Sequence, residues 1–201
     1  MNKKLLAVAT NNAGKAKEIK EILGDFFEEI KSLKDLGLDI NPEENGTTFL
    51  ENARIKARAV FESINGTMAV LADDSGLIVP SLGNEPGIMS ARYAGIDADS
   101  QKNNQKLLNN LQGVADRSAY FVCTMVLLLP DGTEITAEGK TFGEIMNQPE
   151  GTGGFGYDPL FFSYDLKKSF GAATAFEKNQ VSHRARALAE LKQKYIELKA
   201  K

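Results

Sequence analysis

The chain has 201 residues, 42% of them hydrophobic and 25% charged, with a formal net charge of −3. This supports a real core in one large domain or two small lobes. The acidic balance, with no basic patch, argues against a general binder of nucleic acid or of an acidic membrane. The only cysteine, Cys123, excludes an intrachain disulfide and a Cys-rich metal site, and within "AYFVCTMVLLL" it reads as a small buried apolar residue. The apolar run in "MNKKLLAVAT" is too short for a signal peptide, and no stretch reaches the length of a membrane span. The expectation is a soluble, cytoplasmic protein.

In chain order, Leu5–Ala9 reads as a buried strand and breaks into the polar loop Thr10-Asn11-Asn12-Ala13-Gly14-Lys15. A helix over Lys15–Leu23 follows, with Ile19, Ile22 and Leu23 on one stripe. A strand–loop–helix with Gly-Lys invites comparison with a Walker A loop. That loop needs a glycine where Ala9 stands and a hydroxyl residue where Ala16 stands. The general physics survives, because a helix N-terminus with Thr and Asn donors and a nearby lysine favours an anion. A plain Asn-capped helix is the simpler alternative.

Further strands are expected over Ile30–Leu33, Met68–Ala72, Ala119–Leu129 and Glu134–Glu138. The last two flank Pro130-Asp131-Gly132-Thr133, a hairpin signal that predicts a long antiparallel pair continuing into "EITAEGKTFGEI". Helices are expected over Thr48–Ile64 with Thr47 or Thr48 as N-cap and Glu51 in capping-box position, over Ser100–Leu111 ending at Gly113, and over His183–Leu198 capped by Ser182. Helices interleaved with strands, plus a long hairpin, give an α/β fold with a mixed sheet.

The chemistry is concentrated in irregular segments. "PEENGTTF" places Glu43 and Glu44 just before a helix, where acids also complement the helix dipole. "MAVLADDSGL" runs a strand into Asp73-Asp74-Ser75-Gly76. Adjacent acids there repel and need a cation nearby. Successive strand residues face opposite sides, so one aspartate is expected to face a cleft and the other to serve structure. A carboxylate at the carboxyl end of such a strand suits a hard cation held with substrate phosphates. "GTGGFGYDP" packs four glycines around Phe155 and Tyr157, whose rings offer a stacking platform. "EKNQVSHRAR" puts the only histidine, His183, with Arg184 and Arg186 at a helix start, the end the dipole makes unfavourable for cations. A bound anion would relieve that conflict. Lys15, Lys178 and Arg184 as cations, Glu44 and Asp74 as metal acids, and a stacking loop suit a nucleoside polyphosphate with magnesium.

Six segments, "ATNNAGK", "EENGTTFLENARIKA", "ADDSGL", "GNEPGIMSARYAG", "GTGGFGYDPLF" and "EKNQVSHRA", together resemble the inosine triphosphate pyrophosphatase family over about Thr10 to Ala187. The resemblance implies one pyrophosphatase domain over residues 1–201, with an elongated mixed sheet flanked by helices, two lobes and a central cleft, assembled as a homodimer. It implies hydrolysis of ITP, dITP or XTP to the monophosphate and pyrophosphate, with Mg2+. By position, Thr10, Asn11, Asn12, Ala13, Gly14 and Lys15 would grip phosphates. Glu44 and Asp74 would hold the metal, with Asp74 the proton acceptor. Ser75, Phe155, Gly156, Tyr157, Asp158, Lys178, His183 and Arg184 would hold phosphate, ribose and base. One departure is Ala172, which stands where the family often has a glutamate. Competing readings are a pyrophosphatase of related fold for other modified nucleotides, and a non-catalytic nucleotide-binding protein.

Overall fold

The computed structural model describes residues 5–24, 26–95 and 99–200. Its strands are β1 (Leu5–Val8), β2 (Glu29–Ser32), β3 (Ala69–Ile78), β4 (Ser118–Leu128), β5 (Glu134–Ile145), β6 (Phe161–Ser163) and β7 (Lys168–Ser169). They form one mixed sheet in the order β2-β1-β3-β4-β5-β6-β7. β1 pairs in parallel with β2 and β3, whereas β6 is antiparallel to both β5 and β7. The helices are α1 (Ala13–Leu23), α2 (Phe49–Ser63), α3 (Ser100–Asn110), α4 (Ala175–Val181) and α5 (His183–Lys199). The mixed α/β sheet expected from the sequence is present. The chain divides into two compact units: residues 1–74, 123–139 and 184–201 in the first, and 75–122 and 140–183 in the second.

In the first unit the strands are covered on both faces, which is why they read as unbroken apolar runs. Leu6, Val8, Leu71, Met125 and Leu127 pack on one side with Ile19 and Leu23 of α1 and Leu188 and Leu191 of α5. Ala7, Ala9, Val70, Ala72, Val126 and Leu128 pack on the other with Ala53, Ala57 and Val60 of α2. This two-residue alternation decides where every polar side chain of β3 and β4 goes. In the second unit a single cluster collects Leu77, Leu107, Phe121, Ile145, Phe161 and Phe170 against one sheet face. There β5 alternates strictly between buried and exposed residues.

Several boundaries differ from expectation. β3 does not end before Asp73 but runs on to Ile78. The two acids looked like a strand terminus because their partners lie on distant helices. β5 extends to Ile145, matching the length of β4, as the hairpin signal implied. α4 was not anticipated, and Ser182 is its C-terminal cap rather than solely the start of the last helix. Thr174 and Glu177 form a capping box at its N-terminus, a signal present in the sequence. The other box opens α2, with Thr48 rather than Thr47 as the cap paired with Glu51.

Candidate active site

The two aspartates of β3 illustrate the alternation. Asp73 shares the face of Leu71 and points under α1 and α5. Lys15 Nζ lies 3.0 Å from its Oδ2 and Arg184 Nη2 donates to the same oxygen at 3.2 Å. The carboxylate is 2% exposed. Burial opposes its charge, but Lys15, Arg184 and Lys56 outweigh burial and hold its pKa well below the usual carboxylate range. Cys123, on the same face of β4, is buried and its thiol lies 3.7 Å from Asp73 Oδ2. Burial and the adjacent carboxylate push that thiol far up, so it behaves as a small apolar residue.

Arg184 is 1% exposed and also pairs with Glu18 of α1. The cation at the start of α5 is therefore met by the chain's own carboxylates, Glu18 and Asp73, and not solely by an external anion. His183 lies in the second unit, buried, with its ring stacked on Phe121 at 4.8 Å between centroids.

Asp74 shares the face of Val70 and Ala72 and meets α2. Asn52 Nδ2 donates to Asp74 Oδ2 at 3.3 Å, and Lys56 Nζ donates to Asp74 Oδ1 at 3.2 Å and to Glu44 Oε2 at 3.3 Å. Asn52 and Lys56 are one helical turn apart, so a single face of α2 supplies both. Burial pushes the Asp74 carboxyl above its ordinary pKa, more than Lys56 and Lys15 pull it down. Lys56 is half-buried, which opposes its charge, yet Asp74, Asp73 and Glu44 keep it charged, with its pKa raised. Asn52 and Lys56 were missed by the sequence reading. The available signal was a buried asparagine and a lysine four residues apart on the stripe that otherwise carries Ala53, Ala57 and Val60.

The Thr10–Lys15 loop also belongs to the first unit. Asn12 caps α1 by accepting from the Lys15 backbone N–H, Thr10 Oγ1 accepts from the Asn12 N–H, and Asn11 donates to the Ile40 carbonyl. The Asn-capped helix is thus present, and it leaves the first-turn N–H groups beside Lys15.

In the second unit the glycine-rich loop closes on Asp158. Its Oδ2 accepts from the Phe155 N–H at 2.8 Å and from Lys178 Nζ at 2.7 Å, and both Asp158 and Lys178 are buried. The Lys178 ammonium also stands 4.6 Å from the centre of the Phe155 ring. Gly154 has φ +69°, and a Cβ there would fall 2.0 Å from Asp158 Oδ2, so the turn requires glycine. Tyr157 is not a free stacking surface. Its ring is in the core and its hydroxyl donates to the Ser90 carbonyl at 2.9 Å. Phe155 is the aromatic of this loop that keeps open surface. Ser75 is half-buried beside Asp74 on β3.

The residues named from the sequence thus fall into three groups. Arg184 and Asp73 form a buried charge pair joined by the half-buried Lys15, Glu44 and Asp74 converge on Lys56, and Phe155, Asp158 and Lys178 form a tied loop in the second unit. The convergence of two carboxylates on one ammonium is the donor arrangement a hard cation takes from a protein. Among the described residues no third acidic, histidine or cysteine side chain joins them.

Comparison with known proteins shows what this chain is similar to. The model of the Ham1 family matches residues 6–194. A dITP/XTP pyrophosphatase of Clostridium perfringens is 49% identical over 195 residues, covering 94% of this chain and 96% of that one. A dITP/XTP pyrophosphatase of Lactiplantibacillus plantarum is 46% identical over 198 residues, covering 98% and 96%. The solved structure of the Staphylococcus aureus Ham1 protein superposes with a TM-score of 0.84 at 40% identity, covering 98% of this chain and all of that one.

Proposed function

Because the chain belongs to the Ham1 family, we propose that it hydrolyses non-standard purine nucleoside triphosphates, dITP, ITP and XTP, to the monophosphate and pyrophosphate. It is a pyrophosphatase, and its role is to clear such nucleotides from the cytoplasmic pool. The observation that carries the chemical reading is the sharing of Lys56 by Glu44 and Asp74. Two carboxylates are aimed at one cation position, and one of them has a raised pKa.

Asp74 is the proton acceptor. Its burial makes the carboxylate a stronger base than a solvated aspartate, which brings it closer to the working range of general-base catalysis. It takes a proton from the water that attacks the α-phosphorus. The bond from that phosphorus to the bridging oxygen breaks, and pyrophosphate leaves. Lys56 orients the Asp74 carboxylate from one side and Asn52 from the other. Glu44 and Asp74 would hold Mg2+, which would supply positive charge against the phosphate oxygens. Lys15 and the loop Thr10–Gly14 bind phosphate through side-chain donors and the N-terminus of α1. In the second unit Phe155 stacks on the base. Ser75, Gly156, Tyr157, Asp158, Lys178 and His183 of the same unit shape the part that receives ribose and base, while Arg184 holds Asp73 and Glu18 within the first unit. The enzyme works as a homodimer, the assembly implied by the family resemblance.

The test is a screen of the purified protein with Mg2+ against dITP, ITP, XTP, GTP, ATP and pyrimidine triphosphates, reading pyrophosphate separately from orthophosphate. Pyrophosphate as first product, with the 6-oxo purines preferred over ATP, is the expected result. Orthophosphate released first would exclude attack at the α-phosphorus.

A further inference from the structure

The glycine-rich loop of the second unit is held at three consecutive residues, each from a different part of the chain. Asp158 is tied to Lys178 of α4, and the Tyr157 hydroxyl donates to the Ser90 carbonyl. Ser90 belongs to "GNEPGIMSARYAG", a segment whose residues the proposed chemistry does not use. Asn103 of α3 also fixes that segment. Its amide donates to the Ala91 carbonyl at 3.0 Å, and its Oδ1 accepts from the Ala94 N–H at 2.6 Å. The third tie to the loop comes from the next residue of the same helix. Asn104 Nδ2 donates to the Gly156 carbonyl at 3.1 Å, across 52 positions of sequence.

Gly156 depends on that bond. Its φ is +62°, and no atom of a non-adjacent residue stands within 4 Å of where a Cβ would be, so packing does not hold it. Glycine also gives up more freedom on ordering than any other residue. Among the described residues the bond from Asn104 is the one hydrogen bond Gly156 makes. Only the two soft dihedrals of Gly156 separate Phe155 from the core-anchored Tyr157. The direction of the Gly156 carbonyl therefore governs how the Phe155 backbone and ring stand. Asn104 itself gains little from the arrangement. It is half-buried, and its Oδ1 is buried with no protein partner among the described residues. A buried carbonyl without a hydrogen bond works against folding. An apolar side chain of similar size would suit the fold as well, so the asparagine answers to the loop.

We propose that Asn104 is a positioning residue for base binding: it latches the Gly156 carbonyl and so holds the Phe155 ring where the base stacks. The inference rests on the nucleotide reading above, in which Phe155 receives the base, and adds the group that keeps the ring in place. Asn104 touches no reacting atom, and its effect reaches the substrate through the loop. It differs in kind from the tie between Asp158 and Lys178. That tie is a buried ion pair, and breaking it strands a charge. The amide of Asn104 is neutral and can be removed without stranding one. Base binding and fold stability therefore separate at this residue.

The experiment compares the wild type with Asn104→Leu, which removes the donor and the unpartnered carbonyl together, and with Asn104→Asp, which keeps the shape and removes the donor. Each should raise KM for dITP about fivefold, the worth of one hydrogen bond, with kcat less affected. The inhibition constant of inorganic tripolyphosphate, which has no base, should not move. The melting temperature of Asn104→Leu should equal or exceed that of the wild type, whereas a merely structural role requires it to fall. The loop is also read directly. The chain has no tryptophan, so Phe155→Trp places a single indole in the loop, and adding Asn104→Leu should lower its fluorescence anisotropy. Anisotropy that does not fall would overturn the latch whatever the kinetics. A KM rise that tripolyphosphate shares, or that comes with a lower melting temperature, would overturn the positioning role. A wild type inactive on dITP, with anisotropy that still falls in the variant, would overturn the nucleotide reading and not the latch.

Discussion

Asparagine at position 74 removes charge but not volume, and the consequences separate the two neighbouring aspartates. Asp74→Asn is expected to lower kcat for dITP by at least about 10²-fold, the low end for loss of a general base. Its melting temperature should be held, because the native carboxylate is already disfavoured by burial and Glu44 stays on Lys56. Asp73→Asn does the reverse. It strands the buried Arg184 cation and the half-buried Lys15, and breaking such a buried pair costs about 3 kcal/mol or more. Steady-state kinetics and thermal melts of both variants check this. Equal losses of kcat at unchanged melting would refute the division of roles. Lys56→Met gives a sharper test of how Asp74 is tuned. Removing an adjacent positive charge favours the protonated carboxyl, so the acidic limb of the kcat/KM profile should move to higher pH. A limb that stays in place would mean that another group sets it.

The glycine-rich loop carries the corresponding prediction for an element. Gly154→Ala forces a positive φ on alanine and drives its Cβ into Asp158 Oδ2. It should release the Asp158–Lys178 pair and raise KM for dITP severalfold, with kcat less affected. Kinetics on the variant decide it, and an unchanged KM would remove this loop from substrate binding. Elements were largely legible because caps and alternation are local signals. Asn12, Thr48 and the Pro130–Thr133 turn each stand where the sequence places them. The misses have a common cause. β3 seemed to end at Asp73 because a sequence shows two acids but not the Lys15, Arg184, Asn52 and Lys56 that neutralise or bind them from three helices. Arg184 at the wrong end of a helix correctly signalled an anion, but the anions in contact with it are Glu18 and Asp73. Tyr157 looked like a stacking platform because nothing local says that its hydroxyl reaches Ser90, 67 positions away.

At the scale of the whole chain, the unit boundaries fall inside β3, β4, β5 and α5, so neither unit is a contiguous segment that could be excised. The first unit is closed by charge as well as by apolar packing. Glu18, Asp73 and Arg184 join α1, β3 and α5, whose residues are far apart in sequence. Stability should therefore depend on pH through Asp73. Its folded pKa is depressed below the unfolded value of about 3.9, so its contribution is fully present above that value and is lost as pH falls toward the folded one. Asp74 acts with the opposite sign. Its folded pKa is raised, so it favours the native state below about pH 3.9, and that advantage disappears as pH rises through the folded value. The two partly cancel in the wild type. In Asp73→Asn only the Asp74 contribution remains, and the stability gap to the wild type should be widest near pH 7 and narrow steadily below about pH 4. Urea unfolding of both proteins from pH 7 to pH 3 measures the gap directly. A gap independent of pH would mean that Asp73 stabilises the fold by hydrogen bonding and packing alone, and that the buried Arg184 is held in place by Glu18 and the backbone.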